Sequence, residues 1–256
     1  MLRQRIIFTL IYSNGYFMQS RNFRLQRVGN LSWLQRNYKF QEISFSIDEL
    51  IVLNASRDIF DFSEFSSTVS QLVTNVFIPV AAGGKISSMD EVEVLFQSGA
   101  DKVVFNSPIF KNSELVKRVI ERYGSQSVIA CLDYKRVDND IVVYINNGED
   151  KLDLSFDECL DFIEEIGVGE IYLNSIENDG TGFGYDLDTV QYVDSKIETP
   201  LIIAGGAGNE NHFYEGLLIK GTSAVATANL FNFIGSGLPK ARNFLKEKNV
   251  NIATYE

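Results

Sequence analysis

The sequence predicts an α/β protein built as a single (β/α)8 barrel, the TIM barrel, over residues 1–256, and three observations carry that prediction. The chain has 256 residues, where barrels of this kind typically take about 250. Short apolar runs alternate with longer segments of helical period, the signature of parallel strands joined by right-handed crossovers. The sequence also repeats itself when slid by about 121 positions, as a barrel of two half-repeats, about 1–123 and 124–250, would require. A doubly wound open sheet is the alternative, but it explains neither the repeat nor the paired glycine loops described below.

The strand candidates are Arg5–Ile11, Glu49–Asn54, Phe77–Ala82, Lys102–Phe105, Ser127–Asp133, Glu170–Ser175, Leu201–Ala204 and Ala224–Ala228. Each is rich in Ile, Val, Leu or Ala, as strands covered on both faces should be. Helical periodicity marks Ser88–Gln97, Ser113–Arg122, Ser155–Ile166 and Asn209–Ile219. Ser88 and Ser113 are candidate N-caps, and Gly99 and Gly167 follow as stop signals. Val137–Lys151 alternates like a hairpin turning at Asn146–Gly148, a decoration of the loop after the fifth strand. Within the repeat, Pro79 to Gly84 answers Pro200 to Gly205, Gly99–Val103 answers Gly221–Val225, and Ile11 falls opposite Asp133. Trp33, Tyr38, Phe40 and Phe45 are expected to pack the first helix on the barrel. Phe231-Asn232-Phe233 is expected to cover the rim, and His212 to be a surface or cap residue.

With 45% hydrophobic and 22% charged residues the composition is that of a globular protein. The 34 acidic against 23 basic residues give a net charge of −11, which argues against nucleic acid and anionic membranes as partners. Two cysteines, Cys131 and Cys159, and one histidine assemble neither a disulfide framework nor a Cys/His metal site. The thiols read as core filler, and no cofactor is expected. No apolar run reaches the roughly 18 residues of a membrane span, and Met1 to Tyr12 carries no leader cleavage signal. The expected location is the cytoplasm.

In such barrels the C-terminal strand ends carry the chemistry. Gly83-Gly84, Asp179-Gly180-Thr181 and Gly205-Gly206-Ala207-Gly208 fall there, and glycine lets backbone N–H groups approach an anion closely. Two quasi-equivalent glycine loops on opposite sides of one mouth suit a small molecule with a phosphate at each end, although a plain turn explains a bare Gly-Gly equally well.

These residues resemble the HisF family, the cyclase subunit of imidazole glycerol phosphate synthase. The likeness runs from Met1 to about Asn251. It rests on Met1-Leu2 with Arg5-Ile6-Ile7, Asp48-Glu49-Leu50, Gly99-Ala100-Asp101-Lys102-Val103, Gly124-Ser125-Gln126, Asp133 with Lys135-Arg136-Val137-Asp138, Asp179-Gly180-Thr181 and Gly205-Gly206-Ala207-Gly208. The resemblance implies a two-phosphate barrel that receives ammonia from a glutaminase docked beneath it, with aspartates ending strands one and five for cyclisation and cleavage.

Carried over residue by residue, Asp133 matches the strand-five aspartate, whereas Ile11 stands where the other belongs. Isoleucine moves no proton, and general acid–base assistance is worth about 10²–10⁴-fold, so cyclase chemistry should be impaired. Asp58 or Glu177 are the substitutes considered. The phosphate-binding matches are Asp179, Gly180, Gly206, Ala228 and Asn229 on the second-half side, with Asn229 where serine is usual. On the first-half side Gly84, Asn106 and Ser107 match, but Lys85 replaces a glycine and Gln19 a lysine, which points to a different ligand there or none. Arg5, Glu49, Lys102 and Glu170 open strands one, two, four and six and match the family's ammonia gate, and Asp101 matches a partner-facing position. The bland reading of the four is a structural ion-pair layer.

The combination favours a synthase-like subunit of a glutamine amidotransferase complex that docks a glutaminase and passes ammonia on. By resemblance it serves the amidation of a sugar in surface polysaccharide synthesis, with a sugar amidotransferase as a further partner. A genuine cyclase-lyase of histidine biosynthesis, a non-catalytic phosphate-binding scaffold and a bisphosphate isomerase of the sister barrel family are the alternatives.

Overall fold

A computed structural model describes residues 3–38, 43, 45–57, 60–138, 140–229 and 236–253. In chain order the elements are β1 Arg5–Ser13, β2 Tyr16–Arg21, β3 Arg24–Gly29, α1 Leu31–Tyr38, β4 Glu49–Asn54, α2 Phe62–Asn75, β5 Val80–Gly83, α3 Met89–Gln97, β6 Lys102–Phe105, α4 Ser107–Lys111 and α5 Ser113–Tyr123. They continue with β7 Val128–Val137, β8 Asp140–Ile145, β9 Asp150–Lys151, α6 Phe156–Ile166, β10 Glu170–Ser175, α7 Leu187–Asp194, β11 Leu201–Ala204, α8 Glu210–Leu217, β12 Thr222–Thr227 and α9 Gly237–Glu247.

Eight parallel strands close a ring in the order β1, β4, β5, β6, β7, β10, β11, β12 and back to β1. Successive side chains on a strand point to opposite faces, so each strand feeds two cores. Ile7, Ile51, Val104, Ile129, Tyr172, Ile202 and Ala224 fill the barrel interior. Their neighbours, such as Ile6, Leu50, Val103, Val128, Ile171 and Val225, pack outward under the helices. Both sets are buried, which is why these strands read as continuous apolar runs.

Helix starts follow the capping chemistry of the sequence. Ser88 caps α3 by accepting the Glu91 N–H, Asn209 caps α8, and Ser155 and Glu158 form a reciprocal capping box on α6. The α5 cap is Asn112, one residue before the expected Ser113, because its side chain accepts the Leu115 N–H. The expected strand at Phe77–Ala82 begins only at Val80: Val76 still caps α2 by donating to Val73 O, and Phe77 is 87% exposed. The last barrel strand starts at Thr222, two residues ahead of the expected Ala224.

Phe45 does not pack the first helix on the barrel but stands 62% exposed, whereas Trp33 does pack against the core. Residues 1–2, Phe40, Asp58 and 231–233 lie outside the described residues, as does the side chain of Tyr38. Among the described residues no helix is long and apolar enough to cross a membrane.

Two hairpins rise above the strand ends. The first, β2–β3, follows an Asn14-Gly15 turn with φ of 45° and 79°, the pairing that two-residue hairpin turns demand. The second is the expected decoration, in which β8 pairs β7 and β9 and turns at Asn146, Asn147 and Gly148 with φ of 53°, 56° and 78°.

Candidate active site and basal ion ring

At the mouth, strand alternation places Cys131 and Asp133 on the inward face of β7, Tyr172 and Asn174 on that of β10, and Thr9 and Ile11 on that of β1. All six line one cavity. The β7–β10 register pairs Asn174 with Asp133 and Tyr172 with Cys131. Asn174 Nδ2 donates to Asp133 Oδ1 at 2.8 Å, Asn106 Nδ2 donates to Asp133 Oδ2 at 3.3 Å and to Cys131 O at 3.0 Å, and the Cys131 thiol lies 3.5 Å from Oδ1. Burial pushes the Asp133 carboxyl up to about 6, against the pull of Asn174 and Cys131. Burial with the Asp133 charge also pushes the Cys131 thiol up, which leaves it a poor nucleophile. Below Asp133 the Tyr172 hydroxyl meets Thr9 Oγ1 at 3.1 Å, a polar pair across an otherwise apolar bore.

Ile11 sits between Met18 of β2 and Leu53 of β4, part of an apolar wall completed by Phe23 and Leu25. Besides Asp133, the one carboxylate among the described lining residues is Asp179, which is engaged by Ser20 and Phe23, while Glu177 accepts the Arg136 N–H at 3.0 Å in an exposed position and does not line the cavity.

The candidate phosphate residues divide. Gly84, Asn106, Asp179, Gly180, Gly206, Ala228 and Asn229 line the cavity, but Lys85 and Ser107 do not. Ser107 Oγ accepts the Asn146 N–H at 3.1 Å, and the Lys85 ammonium reaches the Asn146 side chain at 3.5 Å. Lys85 keeps φ at 62°, the left-handed conformation of the glycine expected there.

Asp179 has a further set of contacts beyond the expected one, because its buried carboxylate holds the β2–β3 hairpin as a lid. It accepts from Ser20 Oγ and, at 3.0 Å, from the Phe23 N–H, while Asn22 N donates to Asp179 O at 2.9 Å. The β2–β3 hairpin is thereby fastened over the mouth, with Phe23 kept at φ 62° by its N–H bond and by Arg57 donating to its carbonyl at 2.9 Å. Burial raises the Asp179 carboxyl, opposed by the Ser20 and Phe23 donors. His212 accepts the Gly208 N–H on Nδ1 at 3.1 Å, a local loop contact.

At the other end of the barrel Arg5, Glu49, Lys102 and Glu170 form a closed alternating ring. Arg5 pairs with Glu49 at 2.8 Å and with Glu170, and Lys102 pairs with Glu49 at 3.0 Å and Glu170 at 2.7 Å. Two cations and two anions cancel, the arrangement that makes buried charge tolerable. Burial raises Glu49 despite Lys102 and Arg5, whereas at Glu170 burial is outweighed by the Arg5 and Lys102 charges and hydrogen bonds, and its carboxyl falls below the usual range.

Sequence reading missed Ser223, whose hydroxyl accepts from Arg5 at 3.0 Å, and the neighbouring buried pair of Arg242 and Asp48 at 2.5 Å. The expected partner-facing Asp101 accepts the Val80 N–H at 2.8 Å beside the ring, though the residue is exposed. Cys159 is core filler, as read from the sequence. Among the described residues no group of three His, Cys, Asp or Glu side chains could hold a metal ion.

A family model described as histidine biosynthesis protein matches residues 37–235. A protein of Parasynechococcus marenigrum (strain WH8102), provisionally named imidazole glycerol phosphate synthase subunit hisF2, is 41% identical over 94% of this chain and 90% of its own length. The imidazole glycerol phosphate synthase subunit HisF of Chlorobium limicola is 33% identical over 98% of this chain and 99% of its own. That of Hydrogenobaculum sp. is 32% identical over 98% and 99%.

Proposed function

This chain belongs to the histidine biosynthesis protein family, in its HisF branch, and from that premise we propose that it is the ammonia-receiving barrel of a glutamine-dependent amidotransferase complex. In this reading a glutaminase docks on the underside around Asp101, and ammonia passes the ring of Arg5, Glu49, Lys102 and Glu170 into the bore. A sugar destined for surface polysaccharide, handled with a sugar amidotransferase, is the acceptor that fits the family's divergent copies. The second-half loops, through Gly180, Gly206, Ala228 and Asn229, hold a phosphate of the small-molecule ligand.

One observation carries the reading: the closed basal ring coexists with Ile11 at the mouth. Ammonia is a neutral base, and an apolar bore of Ile7, Ile51, Ile129 and Ile202 suits a neutral molecule while excluding ions. A ring kept only for stability would gain from replacement by apolar side chains, since buried ion pairs stabilise little over well-packed isosteres.

The test is reconstitution with a co-purified glutaminase. The chain should raise glutamine hydrolysis, and Glu49→Ala or Lys102→Ala should uncouple hydrolysis from ammonia delivery. Unchanged delivery in both variants removes the gate assignment.

A second reading, the genuine cyclase, is favoured by Asp133, whose carboxyl at about 6 is poised for proton transfer near neutrality. Turnover of the family's bisphosphate substrate with ammonium salts, abolished by Asp133→Asn, would establish it.

A further inference from the structure

We propose that the mouth accepts a ligand with one phosphate, not two, because the protein's own Asn146–Gly148 turn occupies the first-half end. The inference deepens the reading above and rests on its second-half phosphate. At that end Gly180, Gly206, Ala228 and Asn229 line the cavity, and Gly206 is held at φ 113° against the neighbouring loop, where a Cβ would lie 1.9 Å from Gly184 O.

At the first-half end the side chains of Lys85, Asn106 and Ser107 are already engaged. Ser107 Oγ takes the Asn146 N–H, Lys85 reaches the Asn146 side chain, and Asn106 is turned down to Cys131 O and Asp133. Asn147 lines the cavity where Ser107 does not. The helix that starts at Ser107 has five residues, too few to offer a useful dipole. The turn is backed by the lid, since a Cβ on Gly148 would meet the Phe23 ring at 2.7 Å. A phosphate entering here would have to displace both hairpins.

Charge points the same way. Each phosphate monoester carries about −1.5 to −2 at neutral pH. The one cation among the described lining residues, Arg57, is paired with Glu149 at 3.4 Å, and Asp133 and Asp179 line the same cavity. The remainder of the ligand faces the apolar wall of Ile11, Leu53 and Phe23 and the polar side chains of Asn174 and Thr227. That suits an uncharged portion bearing hydroxyl or amide groups, so the ligand class is a phosphomonoester with a neutral polar distal end.

Calorimetric titration of the full chain with inorganic phosphate, fructose 6-phosphate and fructose 1,6-bisphosphate tests this. The expectation is one molecule per chain in each case, the bisphosphate no more than about twofold tighter than the monophosphate, as two equivalent ends would give. Ser107→Ala should leave these affinities within about twofold, and Asn229→Asp should weaken all of them by about tenfold, or 1.4 kcal/mol. Two phosphates bound per chain, or a tenfold bisphosphate preference lost in Ser107→Ala, overturns the inference and leaves the second-half phosphate standing. No binding of any of the three sinks the second-half phosphate itself and the inference with it, while glutaminase activation on the same sample reports separately on the docking reading.

Discussion

Asp133→Asn isolates the cost of burying a carboxylate at the mouth. The folded carboxyl titrates near 6 because of burial, against about 3.9 in the unfolded chain. The native state therefore binds more protons between those values, and stability falls as pH rises through the window. The interval of about two units, at 1.36 kcal/mol each, makes the ionised side chain cost roughly 3 kcal/mol above pH 7 and nothing below pH 4.

Asparagine avoids that cost but sets an amide donor against Asn106 or Asn174, losing one hydrogen bond worth about 1 kcal/mol. The variant should thus be more stable than the parent by about 2 kcal/mol at pH 8 and less stable by about 1 kcal/mol at pH 4. Urea unfolding of both proteins across that range measures the difference, in which the titration of unaltered carboxylates cancels. Asp179, also raised by burial, remains in both. A difference independent of pH, or one that favours the parent more at pH 8, would refute the argument.

Ser20→Ala removes a donor to the buried Asp179 carboxylate and should cost the lid about 1.5–3 kcal/mol, seen as faster limited proteolysis within residues 14–29 at unchanged global stability. Arg242→Ala strips the guanidinium from Asp48, Ser46 O and Ala253 O and should destabilise by about 3–5 kcal/mol, as loss of one partner of a buried pair does; chemical denaturation checks it. Ser155→Ala breaks the capping box on α6 at about 1 kcal/mol, and a shift in urea midpoint at constant slope is its signature.

The barrel strands were legible because being covered on both faces leaves a continuous apolar run, and the ring because its four charges each open a strand. Asp133 and Ile11 could be placed by the same logic, as strand ends. Phe77 was misplaced because an aromatic residue beside Val76 and Ile78 has strand composition whether or not it pairs, and Pro79 delays the strand. The β2–β3 hairpin went unread because its turn, Asn22-Phe23, carries no glycine, and because Arg and Gln between the apolar positions of Arg24–Gly29 mask the alternation; Asn14-Gly15 marks only the turn from β1 into β2. The Asn146–Gly148 turn was legible, but not its seat on Ser107: 39 residues separate the two, and no local pattern reports a contact of that span. Asp179 as the lid's anchor was hidden for the same reason, its partners lying 156 and 159 residues away.

Restoring the missing acid by Ile11→Asp separates the two ends of the mouth. Residue 11 lies against Met18 and Leu53 and shares the cavity with Asp133. A carboxylate placed there loses apolar contact and adds a like charge, so it should raise the Asp133 carboxyl above its present value of about 6. Both carboxyl groups then stand at the two positions that the resemblance to HisF implies for cyclisation. In the one-phosphate reading proposed above, the first-half end stays filled by the Asn146 turn, and a bisphosphate still lacks its second anchor. The variant should therefore show no ammonia-dependent turnover of the family's bisphosphate substrate, whereas combining it with removal of the 146–148 turn should begin to. Turnover from Ile11→Asp alone would mean that the acid was the whole of what the mouth had lost, and that the hairpin yields to the second phosphate.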